Sequence, residues 1–190
     1  MKNNTHISWF SIIEVLVGIF IFTLGLISIY LIMVSSLKLN DYNKNQIIAS
    51  NLAREQIELI RNVRDTNYNT LFNWDSIPWS SDKITPGNYY KIENDFSGGL
   101  PAKINSFVYV DEGQQYLTDM EIFRLCLDDK NRYVFCSSGS NLDTTPFYRY
   151  MLVKDTPEAW AYKITSKVMW YKRGYHDLEI NTILADWKRL

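Results

Sequence analysis

From Phe10 to Val34 the chain reads FSIIEVLVGIFIFTLGLISIYLIMV, a run that is apolar around its whole circumference. About 25 residues make a helix of roughly 37 Å, enough to cross a bilayer hydrocarbon core of about 30 Å. A cleaved secretory signal has an apolar region of only about 7–15 residues ending at a small-residue cleavage site. Here Ile32-Met33-Val34 carries the run past any such site. A buried core helix is the weaker alternative for a run without a polar face. The pattern predicts a retained transmembrane helix. Lys2 lies on the short N-terminal side, which favours leaving that side in the cytoplasm and the bulk of the chain outside it.

After Lys38 the pattern changes without an obvious break. Ile47, Ile48, Leu52, Ile57, Leu59, Ile60 and Val63 recur near a 3.6-residue period, with Lys44, Arg54, Glu55, Glu58, Arg61 and Arg64 between them. This predicts one helix of about 50 residues, its first half embedded and its second half packed on a domain. The alternative is two helices parted near Leu39-Asn40-Asp41. Thr66 to Pro101 is rich in Asn, Ser, Gly and Pro, with apolar anchors at Tyr68, Leu71, Phe72, Trp74 and Trp79. It reads as an ordered connecting loop with short strands at most.

The C-terminal half alternates as strands do. Glu121–Leu127 and Arg132–Cys136 flank a turn at Asp128-Asp129-Lys130-Asn131. Phe147–Val153, Tyr162–Tyr171 and Tyr175–Leu184 follow, the last two joined at Lys172-Arg173-Gly174. Ile164, Val168 and Trp170 share one alternation, and Leu178 and Ile180 can cover the same core. The expected fold class is α+β: a long N-terminal helix laid on a C-terminal antiparallel sheet. The hairpin brings Cys126 and Cys136 opposite each other or nearly so. In an extracytoplasmic domain that spacing suggests a disulfide; the alternatives are two buried free thiols or a compartment that does not oxidise them.

Composition adds little to this layout. The 190 residues are 46% hydrophobic and 22% charged, and the net charge of -1 gives no global field for nucleic acid. The 13 Tyr and 6 Trp fit a β-rich domain with an amphipathic surface. No catalytic set emerges. His176 is the only His beyond His6, and beside Asp177 on a strand it reads as a solvated residue. There is no Gly-x-Ser-x-Gly elbow, nucleotide loop or His-Glu-x-x-His helix. Asp111-Glu112 and Asp128-Asp129 lack calcium-loop spacing and read as turn residues. No metal, cofactor or enzymatic activity is expected. Lys163, Lys167, Lys172, Arg173, Lys188 and Arg189 make the C-terminus locally basic, with Tyr and Trp interleaved. That could serve a DNA or surface ligand through phosphates and stacking; a solvated strand face is the plainer reading.

Glu14 is the one charged side chain between Asn3 and Leu37. A carboxylate in an apolar segment costs a few kcal/mol, so such residues usually have a partner or a function. Its neighbours suggest which. Phe10-Ser11-Ile12-Ile13-Glu14, followed at once by a long apolar helix, resembles the processing signal of type IV pilins and type II secretion pseudopilins. The closing run VMWYKRGYHDLEINTILADW also resembles minor pilins with a Val-x-Trp strand, a Gly turn and a terminal Trp, through Trp170, Gly174 and Trp187.

The resemblance implies a prepilin peptidase cut between Trp9 and Phe10, with N-methylation of Phe10. One departure stands out, because the family usually has Gly or Ala where this chain has Trp9. The implied organisation is a leader over 1–9, a transmembrane and assembly segment over 10–39, an amphipathic continuation over 40–65 and an extracytoplasmic domain over 66–190. Glu14 would pair with the freed Phe10 amine of a neighbouring subunit. Apart from the resemblance, Ser11, Gly18 and Gly25 recur every seven residues along one helix stripe, which reads equally as a place where another helix can approach closely or as ordinary glycine use in a membrane helix. The implied partners are other pilin subunits, the peptidase, an assembly platform and the membrane. The implied location is the cytoplasmic (inner) membrane, and a pilus or pseudopilus after assembly.

Overall fold

The computed structural model describes residues 11–70, 73–77, 83–94, 102–107, 120–136, 142–158, 160–172 and 174–189. Helix α1 covers Ile12–Asn69 without interruption, 58 residues in all. No proline precedes Pro78, so nothing in the sequence removes a helical hydrogen bond along this stretch. One continuous helix is what the pattern predicts, so the alternative break at Leu39-Asn40-Asp41 does not occur, and the helix runs beyond the predicted end at 65. The chain divides into two compact units, Met1–Lys44 and Asn45–Leu190.

In the first unit the Ser11 carbonyl accepts the backbone N–H groups of Glu14 (2.9 Å) and Val15 (3.3 Å), opening the helix. Large apolar side chains from Ile12 to Leu39 are exposed, Ile12 at 79% and Ile32 at 69%. The most apolar window is wholly unburied and long enough to cross a membrane. Two of its hydroxyls bond back to the helix: Thr23 donates to the Ile19 carbonyl at 2.7 Å and Ser28 to the Leu24 carbonyl at 2.9 Å. Folding polar hydrogens back on the helix is what an apolar solvent demands.

The second unit lays the C-terminal part of α1 on a seven-stranded antiparallel sheet. Its strands are β1 (Tyr89–Glu93), β2 (Lys103–Phe107), β3 (Arg124–Leu127), β4 (Tyr133–Phe135), β5 (Asp143–Asp155), β6 (Ala161–Tyr171) and β7 (Tyr175–Ala185). The long β5 is the spine. One side pairs with β6, which pairs with β7. The other side is shared, by β1 and then β2 near Met151-Leu152, and by β3 and then β4 nearer its start. Strand alternation sends Met151 and Val153 of β5 and Ile164 of β6 toward Leu59, Ile60 and Val63. Phe147, Val168 and Trp170 meet Ala49, Leu52 and Ala53. The opposite sheet face carries a lesser cluster of Met120, Phe123, Tyr150 and Met169.

Several expected boundaries move, each for a local reason. β5 starts at Asp143 rather than Phe147, passing through Pro146. Proline is tolerated there because the β3–β5 register shifts at that point. Thr145 fills the gap, its hydroxyl donating to the Leu125 carbonyl at 2.6 Å. β3 starts at Arg124 rather than Glu121, since Phe123 N–H donates to the Met120 carbonyl in a turn that folds both apolar side chains onto the sheet. The turn-rich stretch contains β1, which contributes buried Tyr90 and Ile92. Leu71, Phe72, Trp79 and Asp111-Glu112 lie outside the described residues.

Besides the bond from Arg61 Nη2 to Thr182 Oγ1 of β7 at 3.1 Å, two polar devices join α1 to the rest of the domain. Arg149 on β5 is fully buried on the helix side. It donates through Nη1 to Glu55 Oε2 of α1 at 2.9 Å and through Nη2 to the Ile92 carbonyl at 3.2 Å. Beside it, Ser166 of β6 donates to Gln56 Oε1 at 2.7 Å, and both residues are buried. The second device closes the chain. Tyr68, one residue before the helix ends, donates its hydroxyl to Asp186 Oδ1 at 2.6 Å. Trp187 packs edge-on against Tyr68 at 5.0 Å, and Lys188 Nζ donates to the Tyr68 carbonyl at 3.2 Å.

Burial, then the Asp186 hydrogen bond and charge, push the Tyr68 hydroxyl up to about 12. Because the folded value lies above the unfolded one near 10, this bond contributes fully below about pH 10 and is lost as pH rises toward 12. Tyr68→Phe is expected to cost about 1–2 kcal/mol at neutral pH. The difference in stability between the two proteins should shrink between about pH 10 and 12. Urea unfolding of both across that range checks it; a pH-independent difference would show that the hydroxyl is not the source.

Candidate functional site

Glu14 sits in the first turn of α1, and its side chain is exposed. A carboxylate at this end is favoured by the helix dipole, and the position leaves it open to a group outside the chain. Gly18 and Gly25 are also open, since a Cβ built on either meets nothing within 4 Å. Seven residues rotate a straight α-helix to within about 20° of its starting direction, so the two glycines lie along one stripe. Ser11 stands just before that stripe and supplies the helix-opening carbonyl. The structure thus places Ser11, Glu14, Gly18 and Gly25 on one exposed segment. Trp9 and Phe10 lie outside the described residues.

Cys126 and Cys136 form a disulfide with Cα atoms 5.1 Å apart. They are diagonal rather than directly opposed: Cys126 faces Val134, and Cys136 N–H donates to the Arg124 carbonyl. The hairpin they staple is closed by Asp128. Its Oδ1 accepts the N–H groups of Lys130 (3.0 Å) and Arg132 (2.8 Å), and its Oδ2 accepts Arg132 Nε at 2.7 Å. These bonds, the Arg132 side chain foremost, hold the Asp128 carboxyl below its ordinary value. Asn131 takes the left-handed turn position (φ 57°), which Asn accepts readily. Asp128 is therefore engaged as a turn residue, and no cluster of three or more metal-ligating side chains occurs among the described residues.

Two members of the basic C-terminal set are engaged within the chain. Lys167 is clamped between Asp177 (3.0 Å) and Glu179 (2.7 Å). Burial alone would lower its pKa, but the bonds to Glu179 and Asp177 outweigh burial and raise it. Lys188 lies over the Tyr68 ring at 4.7 Å. Lys163 is exposed on β6, and Arg173 lies outside the described residues. His176 stacks on Trp170 with ring centroids 5.4 Å apart.

A cleft of about 520 Å³ opens on the sheet face away from the helix, lined by Glu121, Arg124, Tyr148, Met169, Tyr171 and Tyr175 among others. Glu121 accepts from Arg124 Nη1 at 2.8 Å and from the Tyr148 hydroxyl at 3.0 Å. The Arg124 guanidinium lies over the Tyr148 ring at 5.2 Å. Burial, then the Glu121 bond, raises the Tyr148 pKa. The Tyr148/Tyr150 alternation signals an apolar second face. The turn at Met120–Phe123 that completes the wall has no such periodic signal.

Fold and site together define a helix-on-sheet α+β protein whose N-terminal helix is long and apolar enough to span a membrane. No family model, no curated protein and no solved structure matches this chain.

Proposed function

We propose that the chain is a minor pilin or pseudopilin: a structural subunit of a type IV pilus or type II secretion filament, processed before Phe10 and assembled through its N-terminal helix. The observation that carries this is the unburied apolar helix with Glu14 in its first turn. A fully apolar, unpartnered helix needs lipid or other helices around it. The carboxylate gives that helix one specific polar contact to make. The α+β layout and the Gly174 turn between β6 and β7 agree with the resemblance. The chain has no nucleotide loop, so work for assembly comes from a separate ATPase on an assembly platform. The subunit waits in the cytoplasmic membrane with its C-terminal domain outside.

Mass spectrometry of the mature N-terminus tests the reading. N-methylated Phe10 is the expected result. An intact Met1 in the membrane-extracted protein would favour a second reading, a signal-anchored extracytoplasmic binding protein that does not polymerise. Two observations support that alternative: Trp9, where a small residue is usual before the cut, and the aromatic cleft, which has the concavity of a binding site.

A further inference from the structure

We propose that the outer edge of β7 is a strand-addition site for an extended segment of another protein, one that alternates basic and aliphatic side chains. The inference rests on the sheet edge alone and stands whether or not the chain enters a filament.

Among the described residues the sheet ends at three strands, β2, β4 and β7. β4 has 3 residues and β2 has 5, too short to template much pairing. β7 has 11, and its register with β6 runs from Tyr175 to Ala185 without a bulge. Among the described residues only β6 pairs with it. Folded proteins normally blunt such an edge with lysine, proline, a bulge or a covering element, because its unpaired N–H and C=O groups recruit other chains. From Asp177 to Ala185 the strand itself has no proline, glycine, lysine or arginine, and among the described residues the one basic side chain bonded to it from α1 is Arg61, at Thr182 on the helix-facing side and away from Asp177 and Glu179.

The side chains along that edge define what fits. Toward the helix, Leu178 and Ile180 pack against the core yet remain half-exposed, because no described strand lies beyond β7. An added strand with aliphatic residues at those positions would complete their burial. On the other face Asp177 and Glu179 are exposed and share the single ammonium of Lys167. Two carboxylates against one lysine leave net negative charge directly beside the free edge. A lysine or arginine on the incoming strand would balance it, whereas an acidic residue would be repelled. Backbone hydrogen bonds then supply affinity, and the alternation supplies selectivity.

The experiment uses the full chain in detergent micelles and two short synthetic peptides, one alternating lysine with valine and one alternating glutamate with valine. Amide hydrogen exchange is followed along β7. In the free protein alternate amides between Asp177 and Ala185 should exchange fast, because they point away from β6. The lysine–valine peptide should slow them at least tenfold, and the glutamate–valine peptide should not. Asp177→Asn with Glu179→Gln, both exposed positions, should weaken the lysine–valine peptide about two- to thirtyfold. Four results would each overturn the proposal: slow exchange already in the free chain, no protection by either peptide, equal protection by both, or slowing that depends on protein concentration alone. The last would make a second copy the occupant.

Discussion

Glu55→Ala is expected to lower the stability of the domain by about 3 kcal/mol, or about 6–12 °C in Tm, more than most surface substitutions on α1. Arg149 is fully buried, and its Nε has no hydrogen-bond partner among the described residues. Burial pulls its pKa down, and the Glu55 charge is the largest influence opposing that. Removing Glu55 leaves a guanidinium inside the helix–sheet interface with, among the described residues, carbonyl partners, the Phe135 ring and the weaker influence of the Glu93 charge. Glu55 itself is about one-third exposed (36%), which places the loss at the lower end of the range for broken buried pairs. Arg149→Met removes the stranded charge. Adding it to Glu55→Ala should therefore recover part of the loss. Thermal unfolding of the two single variants and the double variant checks this; a double variant as unstable as the sum of the singles would show that the two side chains are not coupled.

Glu14→Ala should leave the protein in the membrane but reduce its incorporation into filaments at least about a hundredfold, on the filament reading proposed above. A carboxylate at the exposed start of α1 contributes little to the chain's own fold. Inside a bundle of apolar helices the same carboxylate would face the freed amine of a neighbour's Phe10. Losing one member of such a pair in low dielectric costs several kcal/mol, which sets the scale of the effect. Quantitative blotting of the membrane fraction against sheared surface filaments measures the ratio. Equal incorporation of Glu14→Ala and the wild type would remove Glu14 from assembly and, with it, the main support for that reading.

The legible parts of this chain are those where one physical demand dominates a long stretch. The apolar run from Phe10 to Val34 and the 3.6-residue spacing after Asn40 both announce α1, because helical periodicity accumulates over many turns. The β6–β7 hairpin is legible too, since two alternating strands flank a Gly turn, and Gly174 does adopt a positive φ (144°). The pattern gives no sign of β2 and predicts β5 only from Phe147. A five-residue strand carries few alternations, and Pro146 argues against a strand until the register shift that accommodates it is known. Residue type alone predicts a turn at Asp128-Asp129-Lys130-Asn131. The structure adds why Asp128 is needed there, as acceptor for three donors of Lys130 and Arg132.

The polar core shows the limit most clearly. Glu55 reads as one charge on the polar side of an amphipathic helix, and Arg149 as one charge inside an alternating strand. Their pairing depends on how α1 rotates over β5, which no local pattern encodes. The same holds for Tyr68 with Asp186, 118 residues apart, and for the cleft walled by Glu121, Tyr148 and Tyr175. By itself, the sequence determined that this chain has a membrane-length apolar helix, a single carboxylate at its start, and a helix-plus-sheet domain behind it. Those features follow from hydropathy and period, which act residue by residue. Only the tertiary structure decided which charge is buried, which strand is left as an edge and where the concave surface lies. Those depend on distances between segments far apart in the chain, and burial gives a side chain its energetic weight only once those segments have met.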